Sequence, residues 1–135
     1  MSHLLDVNLL AACAWRSHDR HREANRWLQS LTSFASCPAV QMGFMRVSMS
    51  PAYGAKFADA RQALADILVL PAHQFLVDDT SVEALPIVES RHHVTDAHLV
   101  TLAARHGLKL ATLDEPLSRA SWAAGIAVQP LAREG

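Results

Sequence analysis

Three aspartates occupy equivalent places in the sequence. Asp6 directly follows the apolar run 3–5, Asp114 follows the run that ends at residue 112, and Asp96 begins a segment with helical spacing. Ligands of open α/β sheets gather outside the carboxyl ends of the strands, so we expect the three carboxylates to meet at one edge of a sheet. Carboxylates in such proximity repel one another until a hard cation such as Mg²⁺ or Mn²⁺ neutralises them. The sequence therefore predicts a divalent-metal site formed by these three residues.

Two of the aspartates also have structural interpretations that need no metal. Asp96 lies at the start of a predicted helix, where capping and the helix dipole stabilise an acidic residue by about 0.3–1 kcal/mol. Asp114 stands two residues before Pro116, and an acid before a helix that begins with proline is an ordinary cap. Asp6 is different, because a charge directly after a buried strand is costly unless it has partners. Taken together, the three residues favour the metal site.

The spacing of apolar residues predicts four helices separated by short strands. Helical periodicity runs through residues 24–31, 38–47, 60–67 and 99–106. Apolar runs of strand length occupy residues 3–5, 74–77, 108–112 and 126–128. Pro86 argues against one uninterrupted helix between residues 78 and 93. Strands separated by helices are typical of an α/β fold with a parallel sheet, and without a linker or repeat we expect residues 1–135 to form a single domain.

The composition is that of an ordinary globular protein. Of 135 residues, 50% are hydrophobic and 19% charged, and twelve Lys and Arg against thirteen Asp and Glu give a formal net charge of −1. This balance provides no overall electrostatic footprint for nucleic acid, so RNA binding would need a local patch. No stretch approaches the roughly 20 apolar residues of a membrane span. We therefore expect a soluble, cytoplasmic protein that does not enter a membrane.

Three segments, taken in order, resemble the PIN-domain family. Residues 4–10 are similar to the opening of PIN-domain ribonucleases, particularly toxins of the VapBC type, and residues 18–28 resemble the second-helix pattern of that group. Residues 94–99, followed by 110–114, look like its carboxy-terminal acidic pair. The resemblance implies a three-layer α/β/α fold with a short central parallel sheet and a Mg²⁺- or Mn²⁺-dependent endoribonuclease. It also implies RNA as substrate, a protein antitoxin as partner and a homodimer.

The resemblance gives the site residues expected roles. Cations bound by the three aspartates would activate a water for attack and neutralise the charge that builds on the scissile phosphate. Asp6 is the expected central ligand. Polar neighbours are expected to orient ligands or waters, and nearby cations to contact phosphate, although a solvated surface role suits each cation equally well. The expected orienting residues are Asn8, Thr95 and Thr112, and the candidate RNA contacts are Arg16 and Arg46.

One position departs from the family pattern. Members commonly carry a glutamate in a motif of the form Cys-Pro-x-x-Glu-x-Gly-Phe-x-Arg, and residues 37–46 match it except that Gln41 replaces the glutamate. A glutamine can coordinate a cation through its carbonyl oxygen, but it is neutral and cannot act as a base. Gln41 is therefore a weaker fourth candidate ligand. The alternative hypothesis is a catalytically weakened or inactive PIN-fold protein that acts by binding a partner protein.

Three other functions find little support in the sequence. A structural zinc site needs four Cys or His ligands at suitable spacing, and the eight histidines and two cysteines offer no such set. A nucleotide-binding Rossmann domain needs a glycine-rich loop after its first strand, and none follows residue 5. Receiver-type domains need a second acid beside the first acid or two residues after it. This chain has Val7 and Asn8 at those positions.

Overall fold

The computed structural model describes residues 2–131, which fold around a five-stranded sheet. The order across the sheet is β3-β2-β1-β4-β5, and each neighbouring pair is parallel. The first strand therefore lies in the middle, and its carboxyl end lies between the ends of β2 and β4. The strands are β1 (His3–Leu5), β2 (Phe34–Ser36), β3 (His73–Phe75), β4 (Lys109–Ala111) and β5 (Ala127–Val128).

Helices connect the strands, and four of them confirm predicted segments. The helices of the described residues are α1 (Val7–Ala14), α2 (His21–Ser30), α3 (Pro38–Ser48), α4 (Phe57–Leu68), α5 (Val94–Arg105) and α6 (Glu115–Arg119). The predicted helical segments correspond to α2 through α5. Between β3 and α5 the chain forms only short 3-10 turns, at Val82–Ala84 and Arg91–His93, as Pro86 led us to expect. Within residues 2–131, the helices are too short or too polar to cross a bilayer.

Side chains of the middle strands alternate between two apolar layers. Leu4 and Leu110 belong to one cluster, which also contains residues of α5, whereas Leu5 and Ala111 belong to a second cluster with residues of α2 and α4. All four are 0% exposed. Since successive strand residues point to opposite faces, this alternation means that helices cover both faces of the sheet. The predicted α/β/α layering around a short parallel sheet is confirmed.

Two elements escaped the sequence analysis. Strand β2 has only three residues, and its apolar run is too short to give a periodic signal. Helix α1 starts at Val7, directly after the strand end, and five of its eight residues are buried. A helix that is buried over most of its circumference lacks the apolar stripe by which sequence periodicity is recognised.

Gly43 is the point where α3 packs closely against the start of α1. A Cβ atom at this position would lie 2.5 Å from Cγ2 of Val7, well inside van der Waals contact. The Val7 side chain is β-branched and stiff at χ1, so it yields only if the helices move apart. The absence of a side chain at residue 43 therefore fixes how closely α3 approaches the residue that follows Asp6.

We expect Gly43→Ala to lower the free energy of unfolding by about 1–2 kcal/mol, because overpacking outweighs the gain in helix propensity. Chemical denaturation of the variant measures this. In a Val7→Ala background the clash is removed, so the same Gly43 substitution should be neutral or stabilising. Equal destabilisation in both backgrounds would contradict the packing explanation.

Candidate metal centre

Asp6 stands at the carboxyl end of the middle strand and is only 7% exposed. Its backbone N–H donates to the Ala111 carbonyl at 2.8 Å, which extends the β1–β4 pairing to the aspartate itself. The carboxylate accepts one hydrogen bond at each oxygen, from the Val7 N–H at 2.8 Å and from the Thr112 hydroxyl at 2.8 Å. Burial raises the pKa of Asp6, and the charge of Asp114 acts in the same direction, against these two hydrogen bonds.

Asp114 serves as a helix cap, as the structural interpretation predicts. It precedes α6, and its Oδ1 accepts a hydrogen bond from the Leu117 N–H at 3.0 Å. Its own N–H donates to the Thr112 hydroxyl oxygen at 3.0 Å, so the same threonine contacts two of the three aspartates. Capping and facing the cleft are compatible here, because the cap uses one carboxylate oxygen.

Asp96 lies in the first turn of α5, but the N-cap position of that helix is His93. Within residues 2–131, no hydrogen bond holds the Asp96 carboxylate, so the capping interpretation does not account for it. Burial, followed by the charges of Asp6 and Asp114, raises the pKa of Asp96 to about 6, although His93 acts in the opposite direction. Asp96 is thus a carboxylate whose ionisation is opposed by its surroundings.

The three aspartates line one cleft of about 290 Å³ at the carboxyl edge of the sheet. The charge of Asp114 acts on the pKa of Asp6, and the charges of Asp6 and Asp114 both act on that of Asp96. The structure brings Asp6, Asp96 and Asp114 to one edge of the sheet, and their role as metal ligands stays a prediction. The remaining residues of the cleft are Val7, Asn8, Ala11, His18, Val47 and Tyr53.

Thr112 and Asn8 form the polar support of the cleft. Thr112 is 0% exposed. Its hydroxyl accepts from Asn8 Nδ2 at 3.3 Å while it donates to Asp6. Asn8 in turn accepts from the Leu113 N–H at 3.1 Å, which fixes the backbone just before Asp114. Thr95, in contrast, is exposed, and in the described part of the chain no hydrogen bond links it to a cleft aspartate.

Gln41 lies outside this cleft. Its Nε2 donates to the Ser36 hydroxyl at 2.9 Å, and Ser36 is hydrogen-bonded to Nε2 of His73 at 2.7 Å. Burial lowers the pKa of His73, against a hydrogen bond to the backbone of Leu68. Gln41 also lines a separate groove between α3 and α4, together with Met45 and other apolar residues. The structure does not bring Gln41 to the aspartates.

The two candidate RNA contacts are exposed but do not line the cleft. Arg16 follows α1, and Arg46 lies in the last turn of α3. Two polar residues of the cleft were missed from the sequence, His18 and Tyr53, and both lie in connections between helices. His18 Nδ1 accepts from the Arg20 N–H at 3.0 Å, and the Tyr53 ring contacts Trp15. Residues in such connections carry no periodic signal, so only the fold reveals them.

The donor set of the cleft suits a hard divalent cation. Carboxylate oxygens are the ligands that Mg²⁺ prefers, with water completing an octahedral shell. Among residues 2–131, no group of three or more Asp, Glu, His or Cys side chains already has the spacing of a closed metal site. Asp6, Asp96 and Asp114 are the residues that would hold such a cation, which would neutralise the repulsion among their charges.

Two solved structures share this fold. VapC20 of Mycobacterium tuberculosis, described as a Sarcin-Ricin loop cleaving toxin, superimposes with a TM-score of 0.69 at 16% sequence identity, covering 90% of this chain and 95% of that one. VapBC2 from Rickettsia felis, bound to a DNA fragment from its promoter, gives a TM-score of 0.62 at 15% identity, covering 95% and 98%. At these identities the comparison establishes the fold.

The sequence itself is similar to curated proteins. Ribonuclease VapC38 of Mycobacterium tuberculosis is 42% identical over 120 residues, covering 82% of this chain and 84% of that protein. Ribonuclease VapC39 of the same species is 35% identical over 128 residues, covering 87% and 92%. The family model described as the PIN domain matches residues 3–123, which contain all three aspartates and the whole cleft. This chain belongs to the PIN domain family.

Proposed function

We propose that the chain is a Mg²⁺- or Mn²⁺-dependent endoribonuclease, the toxin of a type II toxin–antitoxin pair. The observation that carries the proposal is the convergence of Asp6, Asp96 and Asp114 in one cleft at the carboxyl edge of the sheet. Its support from outside the structure is membership of the PIN family and the similarity to proteins named ribonuclease. As the resemblance implies, we further propose that the chain works as a homodimer.

The residues of the cleft have distinct tasks in RNA hydrolysis. A bound divalent cation supplies water activation and charge neutralisation at the phosphate. Asp6 is held in one orientation by the Val7 N–H and the Thr112 hydroxyl, so it presents a fixed anchor for the ion. Asp96, which no hydrogen bond of the described residues restrains, can rotate to complete the ligand set. The hydrogen bonds of Thr112 and Asn8 hold Asp6 and the backbone before Asp114 in fixed positions relative to each other.

An antitoxin partner needs an exposed apolar surface on the chain to which it can bind. The groove between α3 and α4 offers one, because it is lined mainly by apolar side chains, of which Met42 is 55% and Phe57 51% exposed. Apolar grooves of this kind accept an apolar helix or extended segment of a partner protein. We propose that the antitoxin contacts this groove.

The first test is cleavage of a generic single-stranded RNA with and without Mn²⁺. We expect metal-dependent cleavage by the unaltered chain, and a loss of at least about 100-fold in Asp6→Asn, since removal of a ligand exceeds the 10–100-fold effect of removing a supporting partner. Circular dichroism of the variant controls for folding. Cleavage that survives Asp6→Asn, or that needs no metal, would rule out the proposed site.

Asp96→Asn should stabilise the metal-free protein at a pH where Asp96 is ionised. Its raised pKa means that the folded metal-free protein binds the Asp96 proton more tightly than the unfolded chain, so the ionised residue destabilises the fold above about pH 6. We expect the variant to be more stable than the wild type at pH 8 by about 1 kcal/mol, after discounting for solvent screening, and equally stable at pH 4. Denaturation at both pH values, without metal, measures this. Lower stability at pH 8 would show that Asp96 is held by favourable contacts instead.

The alternative function, partner binding by an inactive PIN fold, depends on Gln41 being a degenerate ligand. We infer instead that Gln41 is structural, because its amide donates to buried Ser36 and it does not line the aspartate cleft. Gln41→Glu should therefore change cleavage by no more than about twofold. It should lower the free energy of unfolding by about 1 kcal/mol, since the donor to Ser36 is lost. A large gain in cleavage or Mn²⁺ affinity would return position 41 to the metal site and favour the alternative.

A further inference from the structure

A fourth aspartate, Asp78, lies at the same edge of the sheet but outside the cleft. Asp78 comes three residues after the end of β3. Between them, the Leu76 N–H continues the pairing with β2 by donating to the Ser36 carbonyl at 2.8 Å. Burial raises the pKa of Cys37, at the end of β2, and the charges of Asp78 and Asp6 act in the same direction. The carboxyl edge therefore carries Asp6 at its middle and Asp78 towards the β3 side.

Asp78 is bonded to the helix that carries Asp96. Nε2 of His98 lies 2.7 Å from Oδ2 of Asp78, and the two side chains are only 22% and 17% exposed. A carboxylate accepts hydrogen bonds and does not donate them, so the proton lies on Nε2 and the bond holds whether His98 is neutral or charged. Asp78 also accepts the Thr80 N–H at 3.1 Å, which ties the start of the following segment to the same carboxylate.

The surroundings of Asp78 favour its charged form. Burial alone would raise the pKa of Asp78, but the hydrogen bonds from His98 and Thr80, together with the charges of His98 and Arg105, outweigh it and lower the pKa. This is the opposite outcome from Asp96, which stands two residues before His98. The amino-terminal half of α5 therefore carries both Asp96, whose charged form is disfavoured, and His98, which is hydrogen-bonded to Asp78.

The position of Asp96 requires a restraint. Asp96 lies in the first turn of α5, close enough to Asp6 and Asp114 for their charges to act on it. Repulsion among the three charges therefore disfavours the position of this end of the helix. Residues 91–95, which span the preceding 3-10 turn and the first two residues of the helix, are exposed, and the ring of His93 contacts that of Trp122 at 5.7 Å between centroids. Within residues 2–131, the His98–Asp78 bond joins this end of α5 to the sheet edge, whereas the nearby Thr101 hydroxyl bonds inside the helix, to Ala97.

Helix geometry sets the two side chains on different sides of α5. Residues two apart leave a helix about 200° from one another. Asp96 accordingly meets the charges at the ends of β1 and β4, while His98 meets Asp78 beyond the end of β3. The bond at His98 therefore fixes the rotation of the first turns of α5 about the helix axis, and with it the direction in which Asp96 points.

We propose that His98 and Asp78 are positioning residues of the metal centre, whose hydrogen bond holds the start of α5 so that Asp96 faces Asp6 and Asp114. This inference rests on the proposed metal-dependent function. The bond acts on Asp96 through the helix, and neither residue lines the cleft.

The chain supplies a matched control for this proposal. Asp79, adjacent to Asp78, also pairs with α5, but with Arg105 in the last turn, at 3.3 Å. That pair is more exposed, at 43% for Arg105 and 67% for Asp79, and lies at the opposite end of the helix from Asp96. Loss of the Asp79 pair should therefore leave the metal centre unchanged.

The test is Mn²⁺ titration by calorimetry of the full chain and four variants, at a temperature well below every melting point. We expect His98→Leu to weaken Mn²⁺ binding about tenfold, the low end of the effect of groups that support metal ligands. His98→Gln, whose amide can still donate to Asp78, should lie within about threefold of the wild type. Asp79→Asn should match the wild type, and Asp6→Asn should abolish binding.

A second measurement needs no metal. The amides of residues 98–100 report on the first turn of α5, and we expect them to exchange hydrogen faster in His98→Leu than in the wild type or Asp79→Asn.

The outcomes separate failure of this inference from failure of the proposed function. If the wild type binds Mn²⁺ through Asp6 while His98→Leu binds equally well, the positioning role is overturned, even where the variant melts at a lower temperature. Equal weakening by His98→Gln and His98→Leu also overturns it, because the restored donor should rescue. If the wild type binds no Mn²⁺, the metal centre itself is wrong and the positioning role falls with it.

Discussion

The buried carboxylate of Asp6 is the constraint on which the rest of the site depends. It ends the middle strand of a parallel sheet, where helices cover both faces and little water reaches it. A charge in such a place needs hydrogen-bond donors, and the fold supplies two of them, the first N–H of α1 and the hydroxyl of Thr112 from the end of β4. The register of β1 with β4 and the immediate start of α1 are thus both required to keep Asp6 in place.

Asp96 and Asp114 lie close enough to Asp6 for the three charges to repel one another, which lowers the stability of the metal-free protein. Asp114 offsets part of this loss by capping α6, whereas Asp96 has a pKa near 6 and no hydrogen-bond partner among the described residues. Natural proteins keep such unfavourable groups where function requires them, because each costs stability that mutation would readily recover. The repulsion that destabilises the metal-free cleft is the same interaction that a divalent cation would relieve.

Much of the site could be predicted because it follows from strand ends. Asp6 and Asp114 are recognised from the apolar runs that precede them, and Thr112 and Asn8 lie close by in sequence and support them. Gln41 could not be placed in this way, since a motif gives its position on a helix but not the side of the helix it occupies. Gly43 faces Val7 of α1, and a residue two positions earlier leaves α3 about 200° away, towards Ser36 and α4.

Strand β2 and two residues of the cleft could not be predicted from the sequence, and the reasons are physical. Strands β1 and β4 are recognised as apolar runs, whereas β2 contributes only Phe34 and Ala35, which stand between two serines. His18 and Tyr53 come from connections whose course depends on how α1, α2, α3 and α4 pack. Their presence in the cleft is a tertiary result that no local spacing encodes.

The carboxyl edge of the sheet shows two ways of accommodating a carboxylate. Asp78 is paired with His98, bonded to a backbone N–H and has a lowered pKa, which is the pattern of an acid that stabilises the fold. Asp96, on the same helix as His98, has a raised pKa and neighbours of the same sign. Both carboxylates lie at one sheet edge, but the pKa of Asp96 is raised first by burial, and among the described residues it lacks the hydrogen-bond donors that Asp78 has. The fold supplies the partner of Asp78 from its own chain, whereas the charge of Asp96 is left for a cation to neutralise.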